Sequence, residues 1–346
     1  MTASVVKKVL ICSRPYKYAL PELEKLKQKA KVVFAFTPEM TMEAWKNKIE
    51  EVRKEQGPFD AVIVGPESVC YACKRFDDYL FKCLLPEARY FCQTVTGPEK
   101  WDLKWAERNN LLISTTPNAV TNGTAIGAVW LIMDTLRGLS LMQHKTKQGQ
   151  WNGFFDYLGK EVTGRTLGLV GMGSVGQYVA RVLSTMGMRI IYHNRHRLST
   201  ELEVAAGNAV YYENLDELCA ACDVLSLHAP LTPQTHHLIS YKQFACMKPG
   251  SFLVNTARGP VLDTEALIDA MDKGIIYRAG LDVFEKEPEV PKEFKYGGRL
   301  EDRVTILPHF VALTEETVRN LEAHGIENML AYLETGRPRT VLFQPK

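Results

Sequence analysis

The chain has 346 residues, 46% of them apolar and 24% charged, a composition that suits a globular fold of two domains with full cores. Its net charge of +2 gives no basis for a nucleic-acid or anionic-membrane surface, so neither is expected as a partner. Eight cysteines without a disulfide rhythm suit a reducing compartment, and a cytoplasmic location is expected.

The first stretch, Val5–Cys12, is apolar but interrupted by Lys7 and Lys8, which marks a strand rather than a secretory leader. Further strands are expected at Lys31–Ala35, Ala61–Val64, Tyr90–Val95 and Leu111–Ser114. Helical spacing falls between them, at Glu22–Gln28, Met42–Glu55, Phe76–Leu84 and Lys100–Arg108. Strands alternating with helices imply a parallel, doubly wound α/β sheet over residues 1–122. Two Cys-x-x-Cys pairs, Cys70/Cys73 and Cys219/Cys222, lie far apart, and the second falls in an apolar helix pattern, so no metal is expected. After a loop at Thr116–Gly123, Ile126, Val129, Ile132 and Met133 predict one long helix over Thr124–Lys145. Its apolar run, Ala125–Met133, is too short to span a bilayer.

The stretch Thr166–Arg197 carries the strongest signal. Leu167–Val170 has the pattern of a buried strand and enters Gly171-Met-Gly173-Ser-Val-Gly176. An amphipathic helix follows, with Val179, Val182 and Leu183 at helical spacing, and then a second apolar run, Met188–Tyr192. This is a βαβ unit carrying a dinucleotide fingerprint. Gly171 permits the tight turn, Gly173 lets a pyrophosphate approach the backbone, and Gly176 lets helix and strand pack closely. The anion would rest on N–H groups at the positive end of the helix dipole. NAD-specific sites carry an acidic residue about 20 residues past the fingerprint. Here the strand runs into Asn194-Arg195-His196-Arg197, with no carboxylate. Two guanidiniums would meet a 2′-phosphate, so NADP(H) is expected in preference to NAD(H); the alternative is a solvated basic loop.

Past the fingerprint, Val224–His228 ends in His228-Ala229-Pro230, and Ser251–Asn255 in Thr256-Ala257-Arg258. Ala279–Val283 contains Asp282, and Val304–Leu307 ends in Pro308-His309. Polar residues thus gather at C-terminal strand ends, where open α/β sheets bind ligands. Arg258 can hold a carboxylate and polarise a carbonyl. His309 can protonate a carbonyl oxygen as hydride arrives, and Glu287 can orient that imidazole and favour its charged form. Each has a plain alternative: a strand-end cap, a structural histidine, a solvated loop charge. Their placement together on successive strands favours the chemical reading. His236-His237 is expected at the surface beside a helix start, and Thr314–Leu333 as a final helix crossing back to the first domain.

Residues 255–263 (NTARGPVLD), 280–288 (GLDVFEKEP) and 307–309 (LPH), behind GMGSVG, resemble the D-isomer-specific 2-hydroxyacid dehydrogenase family. The likeness covers nearly the whole chain and is dense from Gly164 onward. It implies a Rossmann dinucleotide-binding domain (123–312) inserted into a flavodoxin-like substrate domain (1–122 and 313–346), in a homodimer built through the dinucleotide domains. It implies Arg258 as the substrate arginine, His309 as acid/base and Glu287 as its partner. Asp282, with Thr256 or Ala257, would contact the nicotinamide. Ser174 and Val175 would lie on the pyrophosphate. His228, Ala229, Pro230 and Thr235 would line the adenosine side, Thr124 would touch cofactor, and the Thr96 and Gly97 amides would hold the substrate carboxylate.

Three departures stand beside the likeness. Pro98 has no N–H to donate, Ile126 replaces a commonly acidic residue, and Phe310-Val311-Ala312 follows His309 where the family usually has glycine. Within the family the chain resembles the D-mandelate dehydrogenase and glyoxylate/hydroxypyruvate reductase branches, so NADP(H)-dependent reduction of a 2-oxo acid is expected. Glu287 argues against the formate dehydrogenase branch, which carries glutamine there. The other reading is a dinucleotide-sensing, corepressor-like protein with little turnover; the basic loop weighs against it.

Overall fold

The computed structural model describes residues 6–39, 41–65, 73, 75–151 and 154–345. The chain divides into two compact units: Met1–Val120 with Thr314–Lys346, and Thr121–Leu313. Each is built on its own largely parallel sheet, so the expected pair of doubly wound α/β domains, one inserted in the sequence of the other, is present.

In the first unit β1 (Lys8–Cys12), β2 (Lys31–Ala35), β3 (Ala61–Val64), β4 (Tyr90–Gln93) and β5 (Leu112–Ser114) run parallel in the order β5-β4-β3-β1-β2. This is the flavodoxin-type order. β3 and β4 are wholly buried, as near-continuous apolar runs covered on both faces should be. A short strand, Val341–Phe343, pairs antiparallel with β5. Helix Glu315–Thr335 packs against β3, β4 and helix Leu20–Lys29. Its buried Glu322 accepts the Tyr18 and Ala19 N–H groups at 3.1 and 2.9 Å, occupying the helix N-terminus that no local side chain caps.

In the second unit the strands are β6 (Thr166–Val170), β7 (Arg189–His193), β8 (Val210–Tyr211), β9 (Val224–Leu227), β10 (Ser251–Asn255), β11 (Ile276–Leu281) and β12 (Val304–Ile306). All are parallel, in the order β12-β11-β10-β9-β6-β7-β8. The winding reverses between β6 and β9, which sets a topological switch point at the fingerprint.

The long helix expected over Thr124–Lys145 is two helices. Thr121–Arg137 ends at Gly138, and Leu139–Lys147 leaves at 71°. Gly138 takes a left-handed φ of 65°, and a Cβ there would overlap Arg278 Nη1. Buried Asp134 fixes the break: it accepts the Ser140 N–H at 2.8 Å and the Thr305 hydroxyl at 2.7 Å. The buried face of the first helix is lined by Ala125, Ala128, Leu131 and Ile132, with Val129 and Met133 packed beside it, while Ile126 and Trp130 are exposed. No single helix among the described residues is long and apolar enough to cross a membrane.

Candidate active site

The fingerprint turn explains its glycines one at a time. Gly171 has a φ of 100°, and a Cβ would stand 2.7 Å from the Ala229 nitrogen and from the His228 carbonyl carbon. Gly176 faces the Gly171 carbonyl so closely that a Cβ would overlap it. Gly173 is different: a Cβ there would meet no protein atom within 4 Å. The fold does not require glycine at that point, whereas a ligand lying on the backbone would. Helix Ser174–Thr185, which also carries Val175, begins without a side-chain cap, so its N-terminal amides suit an anion.

Around this turn the rim residues hold one another. Asn194 accepts the Met172 N–H at 2.9 Å, tying the end of β7 to the fingerprint. Arg195, His196 and Arg197 are all exposed. Arg197 is committed: its Nε and Nη2 reach the two oxygens of buried Glu203, both at 2.9 Å, and Tyr192 donates to the same carboxylate. Ser226 meets His228 Nε2 at 2.9 Å, and burial lowers that imidazole's pKa to about 4. Thr235 donates to the Pro230 carbonyl at 2.6 Å and accepts the Thr232 N–H at 2.7 Å, closing the turn beyond Ala229.

The strand ends next door assemble the titratable groups. Buried Asn255 accepts the Ala257 N–H at 3.0 Å and donates to the Arg258 carbonyl at 3.1 Å, which shapes the loop presenting Arg258. Thr256 Oγ1 is buried with no hydrogen-bond partner, an orphan of the kind a ligand would satisfy. His309 Nδ1 lies 3.0 Å from Glu287 Oε2, and Glu287 Oε1 accepts the Phe284 N–H at 3.0 Å. Burial would raise the Glu287 pKa, but His309, the Phe284 amide and the Arg258 charge together hold it below the usual carboxylate value. His309 has a φ of 57°, uncommon for a residue with a side chain. Asp282 holds it there. The Asp282 carbonyl accepts the His309 N–H at 2.8 Å, and its carboxylate accepts Phe310 N–H at 2.6 Å and Val311 N–H at 3.3 Å. Burial pushes the Asp282 carboxyl upward, against those amides.

In the first unit, the Val95–Gly97 loop is gripped from behind. Buried Gln93 donates to the Val95 and Gly97 carbonyls at 3.2 and 2.7 Å, and Thr115 donates to those of Val95 and Thr96. The carbonyls of this loop are thereby engaged, Thr96 is exposed, and the Glu99 carboxylate lies against Gly97, where a Cβ would overlap it.

Residues 129–311 match the family model described as "D-isomer specific 2-hydroxyacid dehydrogenase, NAD binding domain". The chain belongs to the D-isomer specific 2-hydroxyacid dehydrogenase family. It is 38% identical over 271 residues to 4-methyl-2-oxopentanoate reductase A of Aspergillus oryzae, covering 78% of this chain and 80% of that protein. It superposes on a glyoxylate reductase from Paecilomyes thermophila with a TM-score of 0.83, at 34% identity, covering 97% of this chain and 98% of that one. For the D-mandelate dehydrogenase of Rhodotorula graminis the TM-score is 0.86 at 29% identity, with 99% of each chain covered.

On helix Thr121–Arg137, a Cβ on Gly127 would collide with the Val311 side chain and stand 2.7 Å from its carbonyl. Thr124 lies in the first turn of that same helix. The sequence alone does not single out Asn255, Gln93 and Glu203, whose polar contacts are set by how the loops beside them fold. His236-His237 precedes helix Tyr241–Cys246, as expected, with His236 exposed and His237 half-buried against Glu285. Among the described residues no cluster of three or more His, Cys, Asp or Glu could hold a metal ion; Cys70 lies outside them. Burial raises the thiols of Cys219 and Cys222.

Proposed function

We propose that this dehydrogenase reduces 2-oxo acids to D-2-hydroxy acids, and catalyses the reverse, with NADP(H) preferred over NAD(H). The observation that carries the reading is the His309–Glu287 pair, with the Arg258 charge beside it. The dinucleotide, when bound, supplies or accepts the hydride. Gly171, Gly173 and Gly176 would give its pyrophosphate room, Ser174 and Val175 their amides, and Thr256, Ala257 and Asp282 a polar edge for the nicotinamide. His228, Ala229, Pro230, Thr235 and Thr124 complete the proposed rim, and Asn194 to Arg197 take the 2′-phosphate.

Arg258 fixes the substrate carboxylate with its planar fork and polarises the oxo group. His309 Nε2 delivers a proton to the oxo oxygen during reduction and removes it during oxidation; Glu287 holds Nδ1 and stabilises the charged ring. Thr96 and Gly97 are the proposed amide contacts for the carboxylate. Exposed Ile126, Trp130, Leu139 and Leu158 support a homodimer through the second unit, in a reducing, cytoplasmic setting. Sedimentation showing only a 39.0 kDa species would count against the dimer.

The relatives are named for 4-methyl-2-oxopentanoate, glyoxylate and mandelate. Initial rates with NADPH and NADH for glyoxylate, hydroxypyruvate, phenylpyruvate, benzoylformate and 4-methyl-2-oxopentanoate test the reading. His309→Ala should lower kcat about 100-fold or more, with NADPH binding retained. Arg258→Lys should raise KM for the oxo acid and lower kcat together. A wild-type rate for His309→Ala in both directions overturns the acid–base assignment.

A further inference from the structure

The turn that carries Glu287 bears a second carboxylate on a second histidine. Glu285 Oε1 lies 2.5 Å from His237 Nε2, and Glu285 Oε2 accepts the Thr264 N–H at 3.1 Å. His237 Nδ1 is 3.8 Å from Asp263, whose carboxylate also takes the Ser240 hydroxyl at 2.7 Å and the Ala266 N–H at 3.1 Å. His237 has a left-handed φ of 49°, and its own N–H donates to the Pro260 carbonyl at 2.8 Å. Its ring is packed on His236, with centroids 4.1 Å apart. Three segments meet at this imidazole: the loop after β9, the loop after β10 that presents Arg258, and the Phe284–Glu287 turn. Their backbones are already pressed together, because a Cβ on Gly259 would overlap the Phe284 carbonyl.

We propose that His237 and Glu285 are positioning residues that clamp the Arg258 loop against the Glu287 turn, and so set the distance between the Arg258 cation and the His309 acid/base. Neither residue touches substrate. Glu285 faces outward to His237, while two residues on Glu287 folds back to the Phe284 amide and to His309. The turn is pinned from both sides, and release on the outer side frees Glu287 on the inner one. The carboxylates fit this role: burial opposes their charge, yet hydrogen bonds to Glu285 from Thr264 and His237, and to Asp263 from Ser240 and Ala266, hold both pKa values below the usual range.

The proposal rests on Arg258, Glu287 and His309 being the reacting set, and the experiment separates the two ideas. His237→Ala, Glu285→Ala, the double variant, His237→Gln and Glu285→Gln are compared with wild type and His309→Ala. Kinetics in the oxo acid, the dissociation constant for NADPH and the thermal midpoint are measured for each. Either alanine variant should lower kcat/KM for the oxo acid about 10- to 100-fold, the scale of a small misplacement of reacting groups. NADPH affinity should stay within about twofold, since the fingerprint is untouched. The double variant should cost no more than the worse single one, because one contact is lost in each case. The glutamine variants, which keep length and hydrogen bonding, should recover most of the loss. Wild-type kcat/KM in both alanine variants overturns the clamp, as does a loss matched by an equal loss of NADPH affinity. If His309→Ala is inactive while both alanine variants are normal, the clamp alone falls. If His309→Ala is fully active, the reacting set falls.

Discussion

Arg197 gives two of its guanidinium nitrogens to Glu203, so its charge is partly offset before any phosphate arrives. Arg195 shares the exposed loop, and discrimination between NADPH and NADH should rest mainly on it. A hydrogen bond to a charged group contributes about 1.5–3 kcal/mol. Arg195→Ala should therefore lower kcat/KM for NADPH roughly 10- to 100-fold while leaving NADH nearly unchanged, and Arg197→Ala should do less. Steady-state kinetics with both cofactors measure this, and equal losses in the two variants would refute the ranking. The loop was legible because a missing carboxylate is a local fact of sequence. The Glu203 pairing was not, since an acidic residue six positions on reads equally well as a solvated helix face. The same limit hid Asp282's grip on Phe310 and Val311: spacing shows that a carboxylate is near a strand end, not which amides it accepts.

Helix Thr121–Arg137 and the segment after His309 share a backbone-close contact at Gly127 and Val311. Gly127→Ala would place a methyl against the Val311 side chain, with that residue's carbonyl at 2.7 Å and its Cα at 2.9 Å. Overpacking of this kind costs typically 1–3 kcal/mol, and part of the adjustment should fall on the strained His309 turn. The expected outcome is a lower thermal midpoint together with a lower kcat. Adding Val311→Gly should restore only part, because the backbone neighbours remain. A Gly127→Ala protein with unchanged midpoint and rate would show that the segment yields freely. At this scale the sequence was informative where the apolar pattern is strong: the strands it predicts in each sheet and the strand–turn–helix–strand of the fingerprint are present. It failed where a tertiary contact overrides the pattern. The apolar run through Gly138 continues at helical spacing, and only the left-handed glycine, with Asp134 bonded to Ser140 and Thr305, stops it. The two-residue β8 and the short strand Val341–Phe343 are too brief to show any period.

Stability of the whole molecule against acid should carry the mark of one histidine. His228 ends β9 beside the fingerprint, with Nε2 on the Ser226 hydroxyl and a buried Nδ1 that has no partner, so a charged ring would bury an unsatisfied donor. Burial lowers its pKa from 6.5 to about 4, which means the unfolded chain binds this proton first. The stabilising effect is therefore fully present above pH 6.5 and is lost as pH falls through about 4. Integrated over that window the loss is at most about 3 kcal/mol, less where solvent reaches the ring. Glu285, Glu287 and Asp263 have lowered pKa values, so their contributions disappear only below the ordinary carboxylate range, at the lower edge of this window. His228→Gln keeps a partner for Ser226 but cannot take the proton. Thermal or urea unfolding at pH 7, 6, 5 and 4.5 should show the wild type losing stability steadily and the glutamine variant losing clearly less, with its midpoint lower at pH 7 but converging on the wild type in acid. Parallel curves for the two proteins across that range would mean that His228 charges as easily in the folded chain as in the unfolded one.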